Sequence, residues 1–285
     1  MNKRKKIIEE KFFRMLSGLA TWSLILILAF IIILIFVKGF HALSWDMVFK
    51  TPKGGYYYGG EGGVLNAIVG SLYISIGATV IATLVGVPAA LYINVHLSRH
   101  KRMQNTIRYV LDALWGVPSI VYGAFGFALM LFLGMHASLL AGIITVALLI
   151  IPIVVRTFDE VLSAIPKGLH EASLALGSTR SEVAFKALFK QGFPGFITAL
   201  LLAFGRGIGD AASVLFTAGY TDLVPVHLDE PAATLPLSIF FQLSSPIPEV
   251  RERAFAAAAL LTIIILVISL LARFLSKRYS KTILK

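Results

Sequence analysis

The segment Glu171-Ala172-Ser173-Leu174-Ala175-Leu176-Gly177 stands in a polar, basic loop between apolar runs at 137–155 and 195–219. A carboxylate among small residues, closed by a glycine, suits a short docking helix outside lipid. The flanking runs are each long enough to be membrane spans, because a helix needs about 20 mainly apolar residues to cross roughly 30 Å of hydrocarbon. Further runs at 19–37, 64–94, 109–133 and 254–275 bring the expected spans to six. Composition agrees: with 57% hydrophobic and 14% charged residues and a mean hydropathy of +0.83, a soluble fold would expose a very large apolar surface. No run alternates as a barrel strand does, so the expected fold class is all-α, a polytopic membrane bundle of six transmembrane helices.

Six spans put both termini on one side. Of the 26 Lys and Arg residues, 20 lie in the N-terminal segment, the connection around 99–108, the loop holding Glu171 and the C-terminal tail; five lie in the opposite connections, and Arg206 lies within the fifth span. Basic residues retard translocation of short loops, so the richer side, with both termini and the Glu171 loop, is cytoplasmic. The expected organisation is a cytoplasmic segment 1–18, a first span and external loop over 19–63, a transmembrane domain over 64–275 with a cytoplasmic coupling loop at 157–194, and a tail at 276–285. The basic flank of the first span suits a signal peptide, but its long apolar region and lack of a clean cleavage pattern read as a retained anchor.

Several functions are excluded. The net charge of +11 is dispersed over loops and supplies no basic patch interleaved with aromatics, so no nucleic-acid surface is expected. The chain has no cysteine and its six histidines show no metal-ligand spacing, so no metal or cofactor is expected. No Gly-x-x-x-x-Gly-Lys-Ser/Thr sequence occurs, so nucleotide chemistry would have to come from a partner.

Within the cytoplasmic loop, Pro166 suits the start of a helix, Gly177 a left-handed stop, and Ser178 or Thr179 the cap of a second helix toward Lys190. Such an elbow can present one helix to a soluble protein; the plainer reading is an amphipathic helix resting on the membrane. In the fifth span, at 100° per residue, Arg206, Asp210, Ser213 and Thr217 fall within about 60° of one another, a polar stripe facing protein or water. An Arg at mid-membrane costs about 2.5–3.5 kcal/mol, so something must offset it. Arg206 can supply paired donors to an oxyanion, with Ser213 and Thr217 as neutral donors and Asp210 holding the guanidinium until substrate passes; the alternative is a permanent Arg206–Asp210 pair that organises the bundle.

Elsewhere, Ser71, Ser75, Thr79 and Thr83 recur every four residues and could line a pathway, though helix packing is the favoured reading; Gly116, Gly123 and Gly126 read as close contacts; Pro118 as a kink; and Asp159 and Glu160 as a solvated loop face. The outer segments 38–63, rich in Gly and Tyr, and 222–253, rich in Pro, read equally as connections or as a landing surface for an external partner.

Glu171, Ala172 and Gly177 match the Glu-Ala-Ala-x-x-x-Gly loop of the permease subunits of ABC importers, with Ser173 in place of the second Ala, Lys190 where that family has Pro, and Pro194 retained. From Gly62 onward the chain resembles the PstA type of phosphate-specific importer permease: in Gly62–Leu72, in Gly116-Val117-Pro118-Ser119-Ile120-Val121-Tyr122-Gly123, and in Arg206-Gly207-Ile208-Gly209-Asp210 followed by Leu215-Phe216-Thr217-Ala218. Asp210 stands where Glu is usual, and Ser213 where Pro is. The resemblance implies a type I, MetI-like permease fold in the inner membrane that moves inorganic phosphate by alternating access and is itself no enzyme. It also implies a paralogous permease of PstC type, a dimeric ATPase of PstB type docked through Glu171, Ala172 and Gly177, and an extracytoplasmic phosphate-binding protein of PstS type. Alternatives are another oxyanion, such as sulfate, molybdate or tungstate, or an ion-coupled secondary transporter.

Overall fold

The computed structural model describes residues 3–279. They form α1 (Lys3–Gly39), α2 (Trp45–Phe49), α3 (Leu65–Val95), α4 (Lys101–Trp115), α5 (Ser119–Phe132), α6 (Leu139–Ser163), α7 (Lys167–Ala175), α8 (Arg180–Ile208), α9 (Leu235–Leu243) and α10 (Pro248–Tyr279). No strand occurs among the described residues. Lys281 and Lys285, counted with the tail, lie outside them.

Among the described residues, five helices are long and apolar enough to cross a bilayer: Glu9–Gly39, α3, α6, α8 and Pro248–Phe274. The sixth, expected as one span at 109–133, is instead two helices, α4 and α5, meeting at 95°. Gly116 weakens the helix, Pro118 offers no N–H, and the ring of Pro118 drives Val117 out of helical geometry. The bond from Val117 N to Leu114 O, 3.1 Å, is the last tight turn before the corner. Pro118 then stands in extended geometry and α5 begins. The kink expected at Pro118 is thus a full corner.

α6 is the axis of the bundle, packed against α3, α4, α5 and α8. Ala78 and Ala82 of α3, Val146, Ile150 and Val154 of α6 and Ala203 of α8 are essentially inaccessible. Lipid tails are as apolar as leucine, so packing here depends on close approach, which small residues permit. The hydroxyls of Ser75, Thr79 and Thr83 each donate to the carbonyl four residues back at 2.6–2.7 Å, so they serve their own helix. α1 packs along α10, and its apolar stretch is not buried within the chain.

The segments 38–63 and 222–253 pack together. The Arg253 guanidinium lies 4.6 Å from the Tyr56 ring centre and donates to the carbonyls of Tyr56, 2.8 Å, and Gly59, 3.1 Å. Burial pushes the Tyr56 hydroxyl up to about 12. The Tyr57 hydroxyl donates to Asp222 Oδ1 at 2.8 Å and stands 3.3 Å from the Tyr220 hydroxyl; burial, then Tyr220, raises it.

Candidate functional site

The elbow is built as its residues dictate. Pro166, extended, precedes α7, and Gly177 takes φ 84°, the left-handed conformation that ends a helix cheaply only with glycine. The N–H groups of Gly177 and Ser178 donate to the carbonyls of Leu174, 3.0 Å, and Ser173, 3.3 Å, and satisfy the last turn. Thr179 is the cap: its Oγ1 accepts from Glu182 N, while the Glu182 carboxylate accepts from Thr179 N at 3.0 Å. Lys186, then Thr179, holds Glu182 down to about 2. This depressed carboxylate favours the cap above the ordinary value of 4.5 and loses that effect as pH falls through about 2. α7 exposes Glu171, Ala172 and Ala175, and Leu176 beyond it is 87% exposed. Beneath the elbow opens a cavity of about 520 Å³ lined by Arg99, Lys101, Arg108 and Glu171 among others.

The expected fifth span, 195–219, stops early. α8 ends at Ile208, so Arg206 lies in its last turn while Asp210, Ser213 and Thr217 lie in a non-helical turn segment. Gly205, Gly207 and Gly209 each cost a helix about 1 kcal/mol relative to Ala. Asp210 Oδ2 accepts from Ser213 N at 2.8 Å, a local bond that replaces helical pairing. The single helical stripe of four polar residues is therefore not formed. Arg206 and Asp210 stay together, Nη2 to Oδ1 3.8 Å, with the Arg206 side chain 50% exposed and that of Asp210 7%. Thr198, Leu202 and Arg206 share the exposed face of α8.

Ser213 and Thr217 are fully buried. Thr217 Oγ1 donates to Ser213 O at 3.3 Å and its carbonyl accepts from Ser138 N at 2.9 Å, which ties the segment to the start of α6. Ser213 Oγ has no hydrogen-bond partner. Gly207 stands against Val146 and Ile150, which places Arg206 about 10–16 Å from the Leu139 end of α6 at 1.5 Å per residue, level with the middle of the apolar run 137–155. α5 approaches from the other side, and a side chain on Gly123 would sit 2.7 Å from Ala212 O and 3.1 Å from Ser213 O.

Asp159 corrects the expectation of a solvated loop face. It is fully buried and accepts from Arg108 Nε at 2.8 Å and Nη2 at 2.7 Å, from Arg156 Nη1 at 3.1 Å and from Asn94 Nδ2 at 2.8 Å. Arg156 Nε also donates to Asp112 Oδ1 at 2.6 Å. The partners come from α3, α4 and α6. A helix continued past its span is the signal that could have revealed this: Asp159 lies one turn beyond Arg156, on the face of α6 that is apolar further up.

A bundle of apolar helices, broken at mid-depth beside a charged pair and extended at one end by a helix–glycine–helix elbow, defines a multi-pass membrane permease of the ABC-importer class. The profile of binding-protein-dependent transport system inner membrane components matches residues 82–281. The phosphate transport system permease protein PstA of Pasteurella multocida is 33% identical over 96% of each chain, and that of Haemophilus influenzae 36% identical over 86% of each. The chain belongs to this family of inner membrane components and, within it, to the PstA-type permeases. In fold it is similar to the inward-facing methionine ABC transporter MetNI, with TM-score 0.63 and 17% identity over 76% of this chain and 95% of that one.

Proposed function

We propose that this chain is the membrane-spanning subunit of an ATP-driven importer of inorganic phosphate, with Arg206 on the path of the anion. The observation that supports the anion role is the state of that guanidinium. It lies near mid-bilayer, half exposed, and beyond hydrogen-bonding distance of its one acidic neighbour. Facing lipid it would cost about 2.5–3.5 kcal/mol, so its open face belongs to a water-filled cleft or to a second permease subunit of PstC type. A guanidinium presents paired donors matched to a tetrahedral oxyanion. Asp210, held by Ser213 N, keeps the guanidinium in place between passages. The names of the PstA relatives support phosphate as that anion.

The elbow of α7 and α8 is the docking element for an ATPase of PstB type, and the outer layer over 38–63 and 222–253 meets a phosphate-binding protein of PstS type. ATP binding closes the ATPase, moves the elbow and reorients the helices around the anion. The test is ATP-dependent uptake of labelled phosphate by the reconstituted complex; uptake of sulfate with equal efficiency, or uptake without an ATPase, would overturn the reading.

Both termini and the coupling loop 157–194 face the cytoplasm in this scheme. Single cysteines at Ser181 and at Tyr58, both exposed, are expected to react with an impermeant thiol reagent from opposite faces. Labelling of both from outside would refute the orientation.

A further inference from the structure

We infer that the ion cluster around Asp159 is the joint through which movement of the elbow reaches the broken span, with Asp159 as its positioning residue; the inference rests on the permease function proposed above. α6 runs from Asp159 through Ser163 directly into Pro166 and the elbow. Ser163 Oγ accepts from Arg108 Nη2 at 2.9 Å and donates to Asn94 Oδ1 at 3.2 Å, so the turn next to the elbow is tied into the same cluster. On the far side, α4 is held at two successive turns: Arg108 forks onto Asp159, and Asp112 takes Arg156 Nε.

α4 is attached in an unusual sense. Its polar residues Gln104 and Arg108 turn inward, while Met103, Val110 and Leu114 are 51%, 49% and 39% exposed. Ile107 and Leu111 supply the apolar part of the contact. Directional, charge-assisted bonds therefore fix where α4 sits relative to α6. Beyond Asp112, α4 turns the 95° corner into α5, and Gly123 of α5 lies against Ala212 and Ser213. Ser213 N in turn holds Asp210 beside Arg206. A continuous run of contacts thus leads from the elbow to the Arg206–Asp210 ion pair. A shift of α6 must either carry α4 with it or break the Asp159 fork, whereas apolar contacts alone would allow sliding. Spatial continuity is not yet coupling, so the decisive quantity is phosphate imported per ATP hydrolysed.

The experiment uses the complete complex in liposomes with Asp159→Asn, which keeps shape and removes charge, and with Asp112→Asn, whose side chain is 51% exposed and whose replacement leaves the buried carboxylate intact. Assembled Asp159→Asn complexes are expected to hydrolyse ATP while phosphate imported per ATP falls about tenfold, and Asp112→Asn to lower the ratio about twofold to fivefold. A purely structural cluster would lower yield or thermal stability and leave the ratio in surviving complexes unchanged. A wild-type ratio in Asp112→Asn, together with a wild-type ratio in Asp159→Asn or failure of that variant to assemble, overturns the inference. Failure of the wild-type complex to import phosphate would instead overturn the permease reading itself.

Discussion

Replacement of Arg206 by alanine is expected to reduce phosphate uptake per assembled complex by a factor of roughly 30 or more, the scale for losing one partner of a desolvated charge pair. Folded yield should change little, because Arg206 stands 3.8 Å from Asp210 and the buried carboxylate keeps its bond from Ser213 N when Arg206 is removed. Lysine should rescue poorly, since a point charge cannot present a planar fork to two oxygens. The competing account makes Arg206 and Asp210 a structural unit. In that case Arg206→Ala strands a carboxylate and lowers yield, and replacing both residues by apolar ones restores yield and transport together. Substantial uptake by the double variant would exclude an essential contact between Arg206 and substrate.

The second large effect is expected at Gly177. Its φ of 84° would cost a β-branched side chain about 1–3 kcal/mol, and nothing near it in the chain would clash with a Cβ. Gly177→Val therefore strains the backbone alone, and the cheapest relief is to reorient α7 relative to α8. Membrane insertion should be normal while co-purification of the ATPase and ATP-driven uptake both fall at least several-fold. Gly177→Asn is the informative control, because asparagine visits the left-handed region more readily, and it should be affected less. Equal, wild-type assembly of both variants would remove the docking role from the elbow.

Much of this was readable from residue order alone. Apolar runs of sufficient length can satisfy their backbone in lipid only as helices, so all-α architecture followed from composition and spacing. The elbow was equally legible, because proline, glycine and a capping hydroxyl act within a few residues of themselves, although the choice of Thr179 over Ser178 and its box with Glu182 came from the structure. The corner at Pro118 was visible as a kink, but its 95° angle was not. Proline removes a hydrogen bond locally, and the direction the chain then takes depends on what α4 and α5 meet.

Two features were decided only by tertiary structure. The stretch 195–219 is apolar enough to read as one helix; it stops at Ile208, where the local bond from Ser213 N to Asp210 is held in place by the packing of Gly123 of α5 against Ala212 and Ser213. Asp159 reads as a loop acid because charges seldom bury unpaired. Two of its three partner residues, Asn94 and Arg108, lie on other helices 65 and 51 residues away, and pairing over that distance is set by the folded arrangement. The sequence by itself determined that this chain is a helical membrane bundle with a helix–glycine–helix elbow, because hydropathy and turn chemistry are local. Where its buried charges stand, and which helices they join, only the tertiary structure decided, because a charge is tolerated in the interior only at the point where its partners converge.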